Sequence, residues 1–280
     1  MRAAMSFAPP ETTELVAPLA AGSVFQVALV RERGELLVCK RLLPRMRTEP
    51  AARAALVREA MALARARHPA LPSLRRVGKD EHGPFVIEER VEGTSARALV
   101  EGWRARGQPV PPRLWAHLAA EAAQALAELH ELASEEGPLS LSHGDLGPDH
   151  LILSPLGAAR FLDLGAARFA GMDPSLETGD RGTLPFAAPE VARGEAPPGQ
   201  AADVYALAAT LTFLATGGPL CRAQDDAAML LEIGERGLDV GLLTQAPALS
   251  TRARDALCRA LALDPEARPA SARALLGALV

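Results

Sequence analysis

The residues able to do chemistry fall in two short stretches. One reads His143-Gly144-Asp145-Leu146-Gly147-Pro148-Asp149-His150, and the other, soon after it, is Asp163-Leu164-Gly165. Their carboxylates can accept a hydrogen bond from a hydroxyl or hold a hard cation, and the imidazoles add proton transfer or a softer metal donor. An Asp beside Gly or Pro caps turns just as readily, so neither stretch alone specifies a reaction. Composition adds a third signal. Of 30 basic residues only Lys40 and Lys79 are lysine, the other 28 being arginine, and asparagine is absent. In a chain that drifts so far toward arginine, a retained lysine carries extra information.

The chain has 280 residues, 49% of them apolar, which suits one large core or two modest lobes. A formal charge of −4 with scattered arginines gives no footprint for nucleic acid. Cys39, Cys221 and Cys258 are too few and too dispersed for a disulfide framework or zinc site, and are expected as three buried thiols in a reducing cytoplasm. No signal core opens the chain. The most apolar run, residues 204–220, is broken by three threonines and Gly217-Gly218, so it is expected to be a buried helix with no membrane insertion.

The elements that must position the two stretches follow from periodicity. Residues 13–40 alternate in short runs broken by Gly22 and Gly34, the pattern of a hairpin of half-buried strands. Residues 51–67 place Leu56, Ala60, Leu63 and Ala64 on one helical face, stopped by His68-Pro69, and a strand is expected over 85–91. Helices are then expected near 95–105, 112–132, 201–216, 225–236, 251–262 and 270–279. Residues 141–170 interrupt them with short apolar runs flanked by Gly and Pro. A strand-rich part therefore precedes a helical part, joined near Glu92-Gly93.

In this setting the two stretches resemble the H-R-D-L-x-x-x-N and D-F-G loops of the protein-kinase-like superfamily, in the form of a bacterial Ser/Thr protein kinase with degenerate motifs. Further motifs stand in the family's order. Leu37-Val38-Cys39-Lys40 resembles V-A-I-K, and Glu59 falls where the helix glutamate belongs. Ala187-Ala188-Pro189-Glu190 resembles the A-P-E segment, Asp203 the start of the central helix, and Arg268 the arginine that pairs with the A-P-E glutamate. The resemblance runs over residues 15–279. It implies an α+β, bilobal protein-kinase fold: an N-terminal extension (1–14), a small β-rich N-lobe (15–91) and a larger, mostly helical C-lobe (92–280).

Roles follow from the resemblance. Lys40, held by Glu59, would contact the ATP phosphates; Asp145 would be the catalytic base; Asp163 would hold the metal. Gly22, Val27, Val38 and Ile152, with the backbone of Glu89 and Val91, would bind the nucleotide. His143 is expected to pack and Glu190–Arg268 to form a buried structural pair.

Departures from the pattern matter as much. His150 replaces the metal-binding Asn, and an imidazole suits Mn²⁺ better than Mg²⁺. Gly147 replaces a lysine that stabilises the transferred phosphate, a loss of roughly 10² to 10³ in rate. Phe25 takes the place of a glycine in the loop Ala20-Ala21-Gly22-Ser23-Val24-Phe25-Gln26-Val27, where it must swing aside or fold over the pocket. Val38 narrows the base pocket, whose gate is either Glu88 or, one residue out of register, Ile87. Gly144 replaces the arginine before Asp145, so phosphorylation of Ser175 or Thr178 is not expected to be required.

Three readings result. The first is a slow, ATP-dependent signalling kinase that uses Mg²⁺ or Mn²⁺ and transfers phosphate to Ser/Thr hydroxyls of a protein substrate, with Thr183 resembling the docking-loop threonine. The second is a pseudokinase acting on a regulated partner protein. The third, suggested by His143-Gly144-Asp145, is a small-molecule phosphotransferase of the aminoglycoside/choline kinase type.

Overall fold

The computed structural model describes residues 7–177, 182–218, 220–223, 225–246 and 249–280; Thr178 lies outside the described residues. The N-terminal part is built from β1 (Glu14–Ala21), β2 (Phe25–Glu32), β3 (Glu35–Leu42), α1 (Pro50–Arg65), β4 (Leu74–Asp80) and β5 (Gly83–Glu89). Among the described residues its sheet has the antiparallel order β1-β2-β3-β5-β4. Residues 13–40 thus form three strands where the alternation suggests a hairpin. Arg33 and Gly34 both take positive φ (50° and 87°), the two-residue turn whose twist matches the strands it joins. Strand β4 is absent from the sequence reading because its exposed positions are mostly charged and its half-buried ones include Gly78 and Asp80. Strand β5 ends at Glu89 and leaves Val91 beyond it.

Alternation along the central strands sends side chains to two different cores. Ala28, Val30, Leu37, Cys39, Phe85 and Ile87 lie on the outer face, covered by Phe7 from the N-terminal extension. On the same face Arg41 is fully buried, paired with Asp80 and set over the Phe85 ring at 4.9 Å. Leu42 and Val86 lie on the inner face and pack against Ala52, Leu56 and Ala60 of α1. Lys40 belongs to this inner face, so the strand that carries it also fixes which helix it meets.

The chain continues through β6 (Thr94–Ser95), α2 (Ala96–Arg104), α3 (Pro112–His130), the short pair β7 (Ala133–Ser134) and β8 (Gly137–Pro138), and the hairpin β9 (Leu151–Leu153) and β10 (Ala159–Phe161). After α4 (Pro189–Ala192) comes α5 (Gln200–Thr216), then α6 (Asp226–Arg236), α7 (Thr251–Ala260) and α8 (Ala272–Leu279). Helix α5 is apolar all round and buried from Ala202 to Ala215, the condition of a helix at the centre of a core. Among the described residues no helix is long and apolar enough to cross a membrane. Cys39 and Cys221 are buried, but Cys258, on the flank of α7, is only half-buried.

One buried ion pair ties this part together. Arg268 donates to both carboxylate oxygens of Glu190 (2.7 and 2.6 Å), to the carbonyls of Ala262 and Ala201, and lies 5.0 Å from the Tyr205 ring. Removing one partner strands the other charge without water. Arg268→Met is therefore expected to cost about 3–5 kcal/mol in urea unfolding, and a loss below ~1 kcal/mol would contradict the buried-pair assignment.

Candidate active site

Three elements deliver the charged groups to one point. Strand β3 presents Lys40, α1 presents Glu59, and the segment after β10 presents Asp163. The Lys40 ammonium lies 2.9 and 2.8 Å from the two Glu59 oxygens and 2.9 Å from an Asp163 oxygen, with the Lys40 and Glu59 side chains almost entirely out of water. Asp163 sits at φ 66°, a conformation a non-glycine residue rarely holds, and its other oxygen accepts from the Gly165 amide at 3.0 Å. Burial works against the Lys40 charge, but Asp163 and Glu59 outweigh it and hold its pKa above the ordinary lysine value. Burial likewise opposes the charge on Asp163, and Lys40 and His150 overcome it, pulling that carboxyl well below its usual range. Glu59 is pushed up by burial to about 6 despite the ammonium beside it.

A third carboxyl faces this cluster. Cross-strand register pairs Val38 with Glu88 and Lys40 with Val86, which puts Glu88 on the Lys40 face, while Ile87 points into the opposite core. Glu88, not Ile87, therefore occupies the inner wall. It is 7% exposed, and its Oε2 has no hydrogen-bond partner among the described residues. Burial raises its pKa to about 8, with Glu59 adding to the effect, so the group is largely neutral near pH 7.

The stretch from His143 to His150 is held by α5. Asp203 in its first turn accepts from the His143 amide (2.7 Å) and the Gly144 amide (2.9 Å), and contacts the His130 ring at 2.9 Å. Gly144 has φ 80°, and a side chain there would meet the Ala166 carbonyl at 2.3 Å, so this loop is shaped for glycine. His143 is buried, its ring 3.0 Å from the Leu162 carbonyl, and it packs as expected. Asp145 accepts from the Thr183 amide at 2.6 Å. The His150 Nδ1 lies 2.8 Å from the Asp145 carbonyl, a contact that requires Nδ1 to carry a proton and leaves Nε2 as the ring nitrogen not engaged by that carbonyl. Burial lowers the His150 pKa, but Asp163 and Asp145 more than compensate and the net shift is upward. Asp149 is clasped by the Arg97 Nε at 2.8 Å.

A cleft of about 660 Å³ joins these groups. Gly22, Val27, Lys40, Asp145, His150 and Asp163 all border it. Val38 and Ile152 lie outside that lining, as do Glu89 and Val91. Val38 is half-buried beside Glu88, and Ile152 is 7% exposed on β9. The Glu89 side chain turns to a separate cavity, where Arg160 and Ser73 bind it and hold its pKa down to about 2. Phe25 folds over the cleft, with the Lys40 ammonium 4.5 Å from its ring centre and its side chain packed toward α1. Asp203 as the anchor of the loop is not evident from the sequence, whereas Phe25 takes the second of the two positions its replacement of a glycine allows, folded over the pocket and against Lys40.

The family model for the protein kinase domain matches residues 16–278. This chain belongs to the protein kinase family. Among curated relatives it is 28% identical over 274 residues to the tyrosine-protein kinase MasK of Myxococcus xanthus, covering 95% of this chain and 42% of that protein. It is 29% identical over 168 residues to the serine/threonine-protein kinase PknB of Mycobacterium leprae, covering 58% of this chain and 25% of the relative. The match to the serine/threonine-protein kinase PknD of Mycobacterium tuberculosis is 29% over 220 residues, or 78% and 31% of the two chains. The kinase chain thus spans less than half the length of these relatives.

Two outcomes follow for the kinase cleft. Replacing Phe25 with Gly removes the ring that stands over the Lys40 ammonium; if that ammonium meets the phosphates of ATP, the Kd for ATP by calorimetry is expected to fall about three- to tenfold, and an unchanged Kd would mean the ring moves aside freely. For Glu88, a folded pKa near 8 against an unfolded value near 4.5 means the folded state binds the extra proton between them. Stability contributed by this group is complete at low pH and is lost as pH rises through that window. Glu88→Gln is expected to stabilise the protein more at pH 8.5 than at pH 5, by at least ~1 kcal/mol. A pH-independent effect would place Glu88 in contact with water.

Proposed function

We propose that this kinase domain is a slow, ATP-dependent protein kinase that phosphorylates Ser or Thr hydroxyls. The observation that supports this most is the position of Lys40 between Glu59 and Asp163, with Asp145 and His150 on the same cleft. In this reading Lys40 neutralises charge on the ATP phosphates while Glu59 keeps it oriented. Asp145 accepts the proton of the substrate hydroxyl, and Thr183, through its amide, keeps that carboxylate aimed. Gly22 and Val27 would border the nucleotide within the cleft, while Val38, Ile152 and the backbone of Glu89 and Val91 would have to meet its base beyond the cleft's lining.

The donor set also fits a divalent cation. Asp163 offers a carboxylate, and His150, whose Nδ1 is committed to the Asp145 carbonyl, would offer Nε2 once that nitrogen gives up its proton to the incoming ion. A mixed carboxylate and imidazole pair favours Mn²⁺ over Mg²⁺. When bound, the ion supplies electrostatic shielding of the phosphates. Among the described residues no three His, Cys, Asp or Glu side chains form a ready-made metal cluster, so a bound ion would need further donors besides Asp163 and His150. Gly147 leaves out one cation, which is the reason for expecting a low rate.

A second reading, a pseudokinase that binds a partner protein, draws on the Phe25 ring and the Asp163 carboxylate already satisfying Lys40. The small-molecule reading has less support, because the Glu190–Arg268 pair is devoted to holding the segment that docks peptides in protein kinases. A radiolabel transfer assay with phosphoamino-acid analysis separates them. The expected result is weak transfer to Ser/Thr, higher with Mn²⁺ than Mg²⁺, and abolished in Asp145→Asn and Asp163→Ala. Nucleotide binding without transfer, unchanged in Asp145→Asn, would favour the pseudokinase, and label on tyrosine would overturn the Ser/Thr assignment.

A further inference from the structure

Arg58 has no place in the machinery described so far, yet it is among the most deeply buried charged residues in the protein, 2% exposed on α1 next to Glu59. Its Nε donates to the Gly165 carbonyl at 2.5 Å and one terminal nitrogen donates to the Leu176 carbonyl at 2.9 Å. Gly165 closes the Asp163-Leu164-Gly165 turn. Leu176 ends the 3₁₀ turn Pro174–Leu176, which Asp173 caps through the Ser175 amide and which packs directly on α1. One guanidinium therefore joins the helix that aims Glu59 to both ends of the segment that begins with Asp163.

The loop carrying Asp145, residues 143–150, has no arginine or lysine to do this work. Its residue 144 is a glycine at φ 80° with the Ala166 carbonyl where a side chain would stand, so an arginine cannot be accommodated there without moving the loop. Two donors of the Arg58 guanidinium engage backbone carbonyls, acceptors that are present in every copy of the chain whether or not a phosphate is added to the segment.

We propose that Arg58 is a positioning residue, a permanent tether that holds α1 and residues 163–176 in register so that Glu59 and Asp163 both reach Lys40 without phosphorylation of the segment. Its catalytic consequence rests on the kinase reading, whereas the tether itself does not. Each charge-assisted bond lost corresponds to roughly tenfold or more in local opening.

The test is hydrogen exchange by mass spectrometry on the full chain, with phosphate transfer measured alongside. In phosphatase-treated wild type, residues 50–65 and 163–177 are expected to be as protected as in untreated protein; protection that appears only in phosphorylated protein would overturn the tether. Arg58→Met is expected to raise exchange about tenfold in both segments while α5 and α8 keep their protection, and to lower kcat without a matching rise in KM for the peptide. Arg58→Lys, which keeps the charge but loses the fork, is expected to fall between the two, and it decides the matter if the Met variant does not fold. Exchange unchanged in either variant, or raised in α1 alone, would contradict the proposal. If wild type transfers no phosphate but the exchange pattern is as expected, the kinase activity fails and the tether stands.

Discussion

A single buried ammonium facing more carboxylates than it can neutralise sets the arrangement of the cleft. Lys40 meets Glu59 and Asp163 at ion-pair distance, with Glu88 nearby on the same sheet face. One positive charge in a low-dielectric site can keep two carboxylates ionised only if both lie against it, and a third must then hold its proton. That explains why α1 has to present Glu59 inward, why Asp163 is held in an unfavourable backbone conformation, and why Glu88 is largely neutral. Phe25 completes the enclosure with an aromatic face over the same ammonium. The charge centre is thus well formed and largely self-satisfied, and under the proposed kinase reading a phosphate would have to offer Lys40 more than Asp163 and Phe25 already do.

The other half of the cleft depends on a carboxylate that never meets it. Asp203, buried in the first turn of α5, receives two successive backbone amides of the His143 to His150 loop and so fixes where Asp145 points. The two halves are bridged by residues 163–176, which begin at Lys40 and end on α1 through Arg58. Disturbing any one of Asp203, Lys40 or Arg58 should therefore be felt across the cleft, because each anchors backbone that carries another's partner.

Much of this was legible in the residues themselves. The drift toward arginine singles out Lys40 as one of just two lysines, the resemblance to the protein-kinase motifs adds Glu59, Asp145 and Asp163, and 3.6-residue periodicity points to most of the helices that frame them. What escaped depends on partners distant in sequence. Strand β4 is too polar to register as a strand until β5 pairs with it. The choice between Glu88 and Ile87 is a matter of cross-strand register with Val38, one residue of which exchanges the two faces of the sheet. Arg41 and Arg58 look like surface arginines in the linear sequence. Their burial is possible only because Asp80 and Phe85 cover the first and carbonyls more than a hundred positions away receive the second.

With just two lysines in the chain, Lys40 can be observed directly. Selective ¹⁵N labelling of lysine followed by NMR gives a side-chain signal for each, assigned with Lys40→Arg. Held between Glu59 and Asp163, the Lys40 ammonium is expected to keep its proton, in slow exchange with water, at pH values above the ordinary lysine range for as long as the protein stays folded. A Lys40 signal that exchanges rapidly and titrates like a free lysine would mean that Glu59 and Asp163 do not enclose it, and the description of the cleft would fail at its centre.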